Sequence, residues 1–418
     1  MSPTRQQPIN IILLLAFVSG SCYGEGSPIY QVFLYIPVGL VALLASWHLL
    51  SSRQLMARPG LAGTVNSGLA ITIFALIGAA AQNDPQSAEH AVLFLIIWMS
   101  AVVFATSVRL EQVTRSFAYA GAIVILGFAL VDHTKIAASL AVTGIGADTL
   151  ERYGGPFDTH PNLIGHVVGC FVVALFWQAR AERLAAKVIF YAAIIAGFIL
   201  TIAASSRGGL FAASGTILCV IGWQRIRSPF ALVGILLFVS GIVLGAMVIF
   251  PSTLERLDVL LDLSGAHRGL STGLSGRTAL WQKLLDQFGT SNEPYIWGAG
   301  FRSAWLDNLT DAIDNGYLTV AAELGVIGLA LWLLQLARAA VSAQRELRFT
   351  GRTEYLIALS VIVFFLAESV VARYLLALGN APSILLILVA AMLPSIRASM
   401  RPKQATRSSS EMYASSLK

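Results

Sequence analysis

The chain has 418 residues, of which 56% are hydrophobic and only 12% charged, with a formal net charge of +6. A soluble domain carries roughly 25% charged residues, and the mean hydropathy of +0.73 points the same way, so a soluble enzyme is excluded and a membrane protein is expected. The positive balance reads as a topology signal and an attraction to anionic inner-leaflet lipids, not as a sign of nucleic-acid binding.

Apolar runs of roughly the 20 residues that cross a bilayer recur from end to end. They lie near 8–23, 29–50, 64–82, 89–108, 116–132, 161–179, 186–204, 209–224, 229–250, 315–337, 354–372 and 379–396, implying an all-α fold of about twelve spans in one polytopic unit, 1–418. The first run is short and is read as an uncleaved span, with a signal peptide as the alternative. Short cytoplasmic loops accumulate Lys and Arg. With the amino terminus inside, such loops hold Arg53 and Arg58, Arg109 and Arg115, Arg180, Arg183 and Lys187, Arg225 and Arg227, then Arg338, Arg345, Arg348 and Arg352. The tail, 397–418, adds Arg397, Arg401, Lys403 and Arg407, so both termini are expected in the cytoplasm. Cys22, Cys170 and Cys219 all fall in apolar spans, and no disulfide framework is expected.

Two external connections have room for a water-facing site, 133–160 and the large loop 251–314. Within the large loop, 253–263 and 278–288 read as amphipathic helices joined by a Gly- and Ser-rich hinge. His160 opens a helix with Pro161 at its first position. It stands six residues from His166, so the two do not share a helix face as zinc ligands would.

From Val188 to Trp223 the only charged residue is Arg207, in the stretch Ser205-Ser206-Arg207-Gly208-Gly209. The run suits two helices with a tight external turn at Arg207. A snorkelling arginine is one reading. An anion site is the other, because Ser205 and Ser206 supply donors, Gly208 and Gly209 allow close approach, and a helix start attracts negative charge. Arginine also takes phosphate oxygens bidentately. Arg277 opens the second amphipathic helix of the large loop, where a cation opposes the helix dipole by about 0.3–1 kcal/mol. Helix stability does not account for it; a solvated charge or a second clamp on the same anion does.

Farther on, Asp307, Asp311 and Asp314 share one face if that part is helical. Asp314 precedes an apolar helix and reads either as its N-cap or as a carboxylate accepting a proton from a hydroxyl group. Glu323 lies about two turns inside the span and is expected to be paired or hydrogen-bonded. No metal, nucleotide or other cofactor motif is present, and none is expected.

The stretches GPFDTHPNLIGH (155–166), SSRGG (205–209), SGRTALW (275–281), YIWGAGF (295–301) and DNGYLTVAAELGVIGL (314–329) together resemble the O-antigen ligase and polysaccharide polymerase superfamily. Each is short, but their order is specific and covers roughly the second half of the chain. The resemblance implies glycosyl transfer from a polyprenyl-diphosphate-linked oligosaccharide at the outer face of the bacterial cytoplasmic membrane. It makes Arg207 and Arg277 a diphosphate clamp, with Ser206, Gly208, His160, Asn162, Asn315 and Tyr317 as substrate-binding neighbours and Asp314 as base. Asp314 stands where the ligases have His, with ten residues between it and Gly325, and Trp281 where they favour Leu. These differences point to a polymerase of exopolysaccharide or O-antigen repeat units, working with membrane lipids and with a flippase and chain-length regulator as partners. A ligase moving glycan to a lipid or protein acceptor, and an anion transporter using Arg207 and Glu323, are the alternatives. Broken helices and midplane charges would favour transport.

Overall fold

The computed structural model describes residues 3–22, 32–51, 61–140, 152–157, 159–225, 277–290, 296–303, 305–306 and 313–395. The expected span 229–250, the helix at 253–263, Asp307, Asp311 and the tail 397–418 lie outside the described residues. Among those described, every regular element is helical and there is no strand. The helices are α1 (Pro3–Ser19), α2 (Tyr35–Ser51), α3 (Leu61–Ala81), α4 (Pro85–Ser107), α5 (Leu110–Val131), α6 (His133–Leu140), α7 (Pro161–Ala181), α8 (Leu184–Ala203), α9 (Arg207–Arg225), α10 (Arg277–Thr290), α11 (Gly316–Thr350) and α12 (Thr353–Glu368). A last helix, α13, runs over Ala381–Ser395.

Six of these, α3, α4, α5, α7, α8 and α11, are long and apolar enough to cross a membrane, and Pro8–Ser19, Tyr35–Leu50 and α13 are shorter apolar helices. Large apolar side chains such as Trp47, Leu50, Leu130, Leu184 and Trp223 lie exposed on the outside. A lipid environment covers such a surface, whereas in water it would drive association.

Helix α7 is the axis of the second half. It packs against α5, α8, α9 and α12 and is buried along nearly its whole length. Glycines let α9 approach it. A Cβ on Gly165 would stand 1.9 Å from Ser206 Oγ, and one on Gly209 would stand 2.4 Å from the Gly165 carbonyl oxygen. Gly209 is thus engaged by helix packing, of the small-residue kind used between membrane helices. Helix α13, apolar around its circumference, is buried nearly throughout, as a helix without a polar face must be.

Helix α11 is broken at Gly325, whose φ of 72° and ψ of 172° interrupt the helix. The break frees carbonyls that need donors, since unsatisfied backbone inside a membrane costs several kcal/mol per group. The Gly298-Ala299-Gly300 segment supplies them. Ala299 N donates to Ala322 O and Gly300 N to Glu323 O, each at 2.8 Å. A Cβ on Gly325 would lie 1.9 Å from Ile296 O. The Glu323 carboxylate accepts from Arg302 N at 3.0 Å, which meets the expectation of a hydrogen-bonded acid. The 296–301 and ELGVIG stretches therefore hold one another together.

Candidate functional site

The turn between α8 and α9 follows from local chemistry. Ala204 leaves the helix, and Ser205 takes a left-handed conformation with φ 48°, which costs a residue with a Cβ about 1–2 kcal/mol. Ser206 is buried against α7, and α9 begins at Arg207. The first amides of a helix lack internal acceptors and, with the helix dipole, favour an anion.

A crevice opens at this helix start. Its lining is Ser205, Ser206, Arg207, Gly208 and Gly209 from the turn, Asn162 from α7, Arg277 from α10, Glu368 from α12, and Val371 and Ala372 beyond it. Two arginines distant in sequence thus share one small concavity with the amino end of α9. Of the residues expected at the site, Ser206, Gly208, Asn162, Arg207 and Arg277 line it directly.

Asp314 joins from the side. Arg277 Nη2 lies 2.8 Å from Asp314 Oδ2, with the two side chains 17% and 21% exposed, and Asn162 Nδ2 donates to the same oxygen at 3.4 Å. A hydrogen bond to a charged group contributes about 1.5–3 kcal/mol net, which explains why a cation is tolerated at the start of α10. Leu284 and Phe288 of α10 pack with Ile313 and Ala322, and Trp281 and Leu318 flank this small cluster. Trp281 is accordingly a docking side chain of α10.

The reading of Asp314 as a helix cap needs correction. The N-cap of α11 is Asn315, whose Oδ1 accepts from Tyr317 N and Leu318 N, each at 3.0 Å. The shift by one residue arises because Gly316 N is taken by Ser369 O at 2.7 Å, while Asn315 Nδ2 donates to Val370 O at 3.2 Å. These contacts fix where the helix starts. Tyr317 donates its hydroxyl to Leu366 O at 2.6 Å. Asn315 and Tyr317 therefore hold α11 to the end of α12 and do not line the crevice. His160 caps α7, its Nδ1 accepting from Asn162 N at 3.2 Å, with Pro161 at the first position as expected. It positions Asn162 and is not itself a lining residue.

The expected span 354–372 ends early, at Glu368; residues 369–380 are turns and bends, and Val371 and Ala372 among them line the crevice. Glu368 is 2% exposed and accepts a hydrogen bond from Nδ1 of the fully buried His166. Sequence reasoning missed this pair, although a carboxylate inside an apolar run marks a functional candidate by default. It also missed Arg152, which donates from Nε to Ala204 O at 3.0 Å and from Nη2 to Asn162 Oδ1 at 2.9 Å and Ser205 O at 3.4 Å. Among the described residues, no three His, Cys, Asp or Glu converge as a metal site.

Residues 192–333 match the family model described as O-antigen ligase. The match takes in α8 from residue 192, α9, α10 and the first half of α11, hence Arg207, Arg277 and Asp314. No curated protein matches the chain. The family match and the apolar helices together indicate a multi-pass membrane protein with a glycan-handling role of the ligase or polymerase type.

Proposed function

Starting from an O-antigen ligase-family segment at residues 192–333, we propose that the chain is a metal-independent glycosyltransferase that polymerises oligosaccharide repeat units carried on polyprenyl diphosphate. In this reading the chain crosses the bacterial cytoplasmic membrane twelve times with both termini inside, and the crevice opens at the external face. The observation that carries it is the meeting of Arg207 and Arg277 at the amino end of α9. Preorganised donors aimed at developing charge lower the barrier to leaving-group departure. Here the charge develops on the departing diphosphate, held by both guanidinium groups and the first amides of α9.

The acceptor hydroxyl attacks the anomeric carbon, the bond to the diphosphate breaks with its electron pair, and Asp314 takes the hydroxyl proton. A single displacement inverts the anomeric centre. Without donor, Asp314 shares Arg277. An arriving diphosphate competes for Arg277 and releases Asp314, which Asn162 continues to hold, so donor binding uncovers the base.

Among the described residues, the break in α11 is a feature that favours transport. Its freed carbonyls and Glu323 are filled by the protein's own 298–302 backbone, and no ion path is needed to satisfy them. The test is incubation of purified protein with lipid-linked repeat units. Longer glycans on the same lipid are expected. Glycan delivered only to a different acceptor identifies a ligase, and passage of substrate across a vesicle without bond formation identifies a transporter.

A further inference from the structure

The geometry points to Arg152 as a positioning residue that sets both halves of the transfer site from outside the crevice. This inference rests on the crevice being the diphosphate site. One guanidinium reaches the carbonyls of Ala204 and Ser205 and the side-chain oxygen of Asn162. The two carbonyls flank the left-handed Ser205 that launches α9. A residue with a Cβ keeps such a conformation only where its surroundings over-determine it, and Arg152 holds the peptides on both sides of it. The direction in which Arg207 leaves the turn therefore depends on Arg152.

The third contact fixes the amide of Asn162. Arginine has donors and no acceptor, so the atom facing Arg152 must be the oxygen of Asn162. The NH2 group is then forced to the other side, where Asp314 Oδ2 receives it. A chain of contacts runs from Arg152 through Asn162 and Asp314 to Arg277, joining the two clamp arginines through one frame. Once diphosphate has drawn Arg277 away, Asn162 keeps the carboxylate aimed, and it does so because Arg152 fixes its amide.

Two measurements test this on the full-length protein in detergent or nanodiscs: affinity for a short-chain polyprenyl diphosphate, and kcat and KM with lipid-linked oligosaccharide. Arg152→Ala should lower diphosphate affinity and reduce kcat at least about 10-fold, since small misplacements of reacting groups have effects on that scale. Adding Ser205→Gly to Arg152→Ala should recover affinity by roughly 5-fold, because glycine takes the left-handed turn without the steric cost, yet leave kcat low. Asn162→Asp keeps the oxygen facing Arg152 but sets two carboxylates against each other in the crevice that takes the diphosphate, so both kcat and diphosphate affinity should fall. That variant also carries the test if Arg152→Ala does not insert.

Wild-type kcat and affinity in both Arg152→Ala and Asn162→Asp would overturn the inference, as would recovery of kcat by Ser205→Gly. If the unsubstituted protein binds diphosphate in an Arg152-dependent way but transfers no sugar, the transferase reading fails and the frame stands. If it transfers sugar and Arg152→Ala does so equally well, the frame fails and the transferase reading stands.

Discussion

At Arg207 and Asp314 the chemistry separates from the fold. Arg207 is the first residue of α9 and its side chain is only partly buried, so Arg207→Ala should insert and fold while losing polymer synthesis. A hydrogen bond between the guanidinium and a phosphate oxygen contributes about 1.5–3 kcal/mol, so donor affinity measured by titration should fall by at least about tenfold. Arg207→Lys should recover little, because a point-charge ammonium lacks the bidentate fork. Polymer at the normal level from a well-expressed Arg207→Ala protein would return this residue to a snorkelling role. For Asp314 the contrast is with its neighbour. Asn315 caps α11, so Asn315→Ala should cost about 1 kcal/mol of stability with turnover close to normal. Asp314→Asn weakens the pair with Arg277 and should melt somewhat lower, yet it should still insert and turn over about a hundredfold slower, the scale for losing a general base. Comparable turnover in the two variants would remove Asp314 from the reaction.

Among the elements, the packing of α7 on α9 decides where the clamp stands. Gly165 and Gly209 let the two backbones touch, and the Ser206 side chain lies against Gly165. Gly165→Ala places a methyl group 1.9 Å from Ser206 Oγ, and overpacking of this kind costs about 1–3 kcal/mol. The turn with Arg207 should shift outward, so this variant should bind donor more weakly although it removes no charged or polar group. Titration with polyprenyl diphosphate, alongside a melting curve, checks this; unchanged affinity would mean that the turn is set elsewhere. Helix α10 is docked differently: the Arg277–Asp314 ion pair and a small apolar cluster around Leu284 and Phe288 hold it against the start of α11.

The described helices form a bundle with large apolar side chains on its outside, and the crevice lies at one end of α7 and α9. In the orientation proposed from the distribution of Lys and Arg, that end faces away from the cytoplasm. Lys283 is exposed on α10, and Lys283→Cys in a chain lacking Cys22, Cys170 and Cys219 should react with an impermeant thiol reagent on intact cells. Labelling that appears only after the membrane is opened would reverse the orientation and move the site to the wrong side for an external glycan.

By itself the sequence determined what depends on local composition. Long apolar runs dictate helices because a bilayer leaves no other way to satisfy the backbone, and the two-helix turn at Arg207 is legible because one charge stands alone in a run too long for a single span. The start of α10 at Arg277 and of α7 at Pro161 is equally local. What only the tertiary structure decided are contacts between distant segments. Arg152 meets carbonyls more than 50 residues away, and His166 meets Glu368 across 202 positions; such pairings leave no period in the chain. The choice of Asn315 over Asp314 as cap was likewise closed to sequence, since the two residue types cap about equally well. Hydrogen bonds from Asn315 and Gly316 to the carbonyls of Val370 and Ser369 settled it, and Asp314 was left to pair with Arg277.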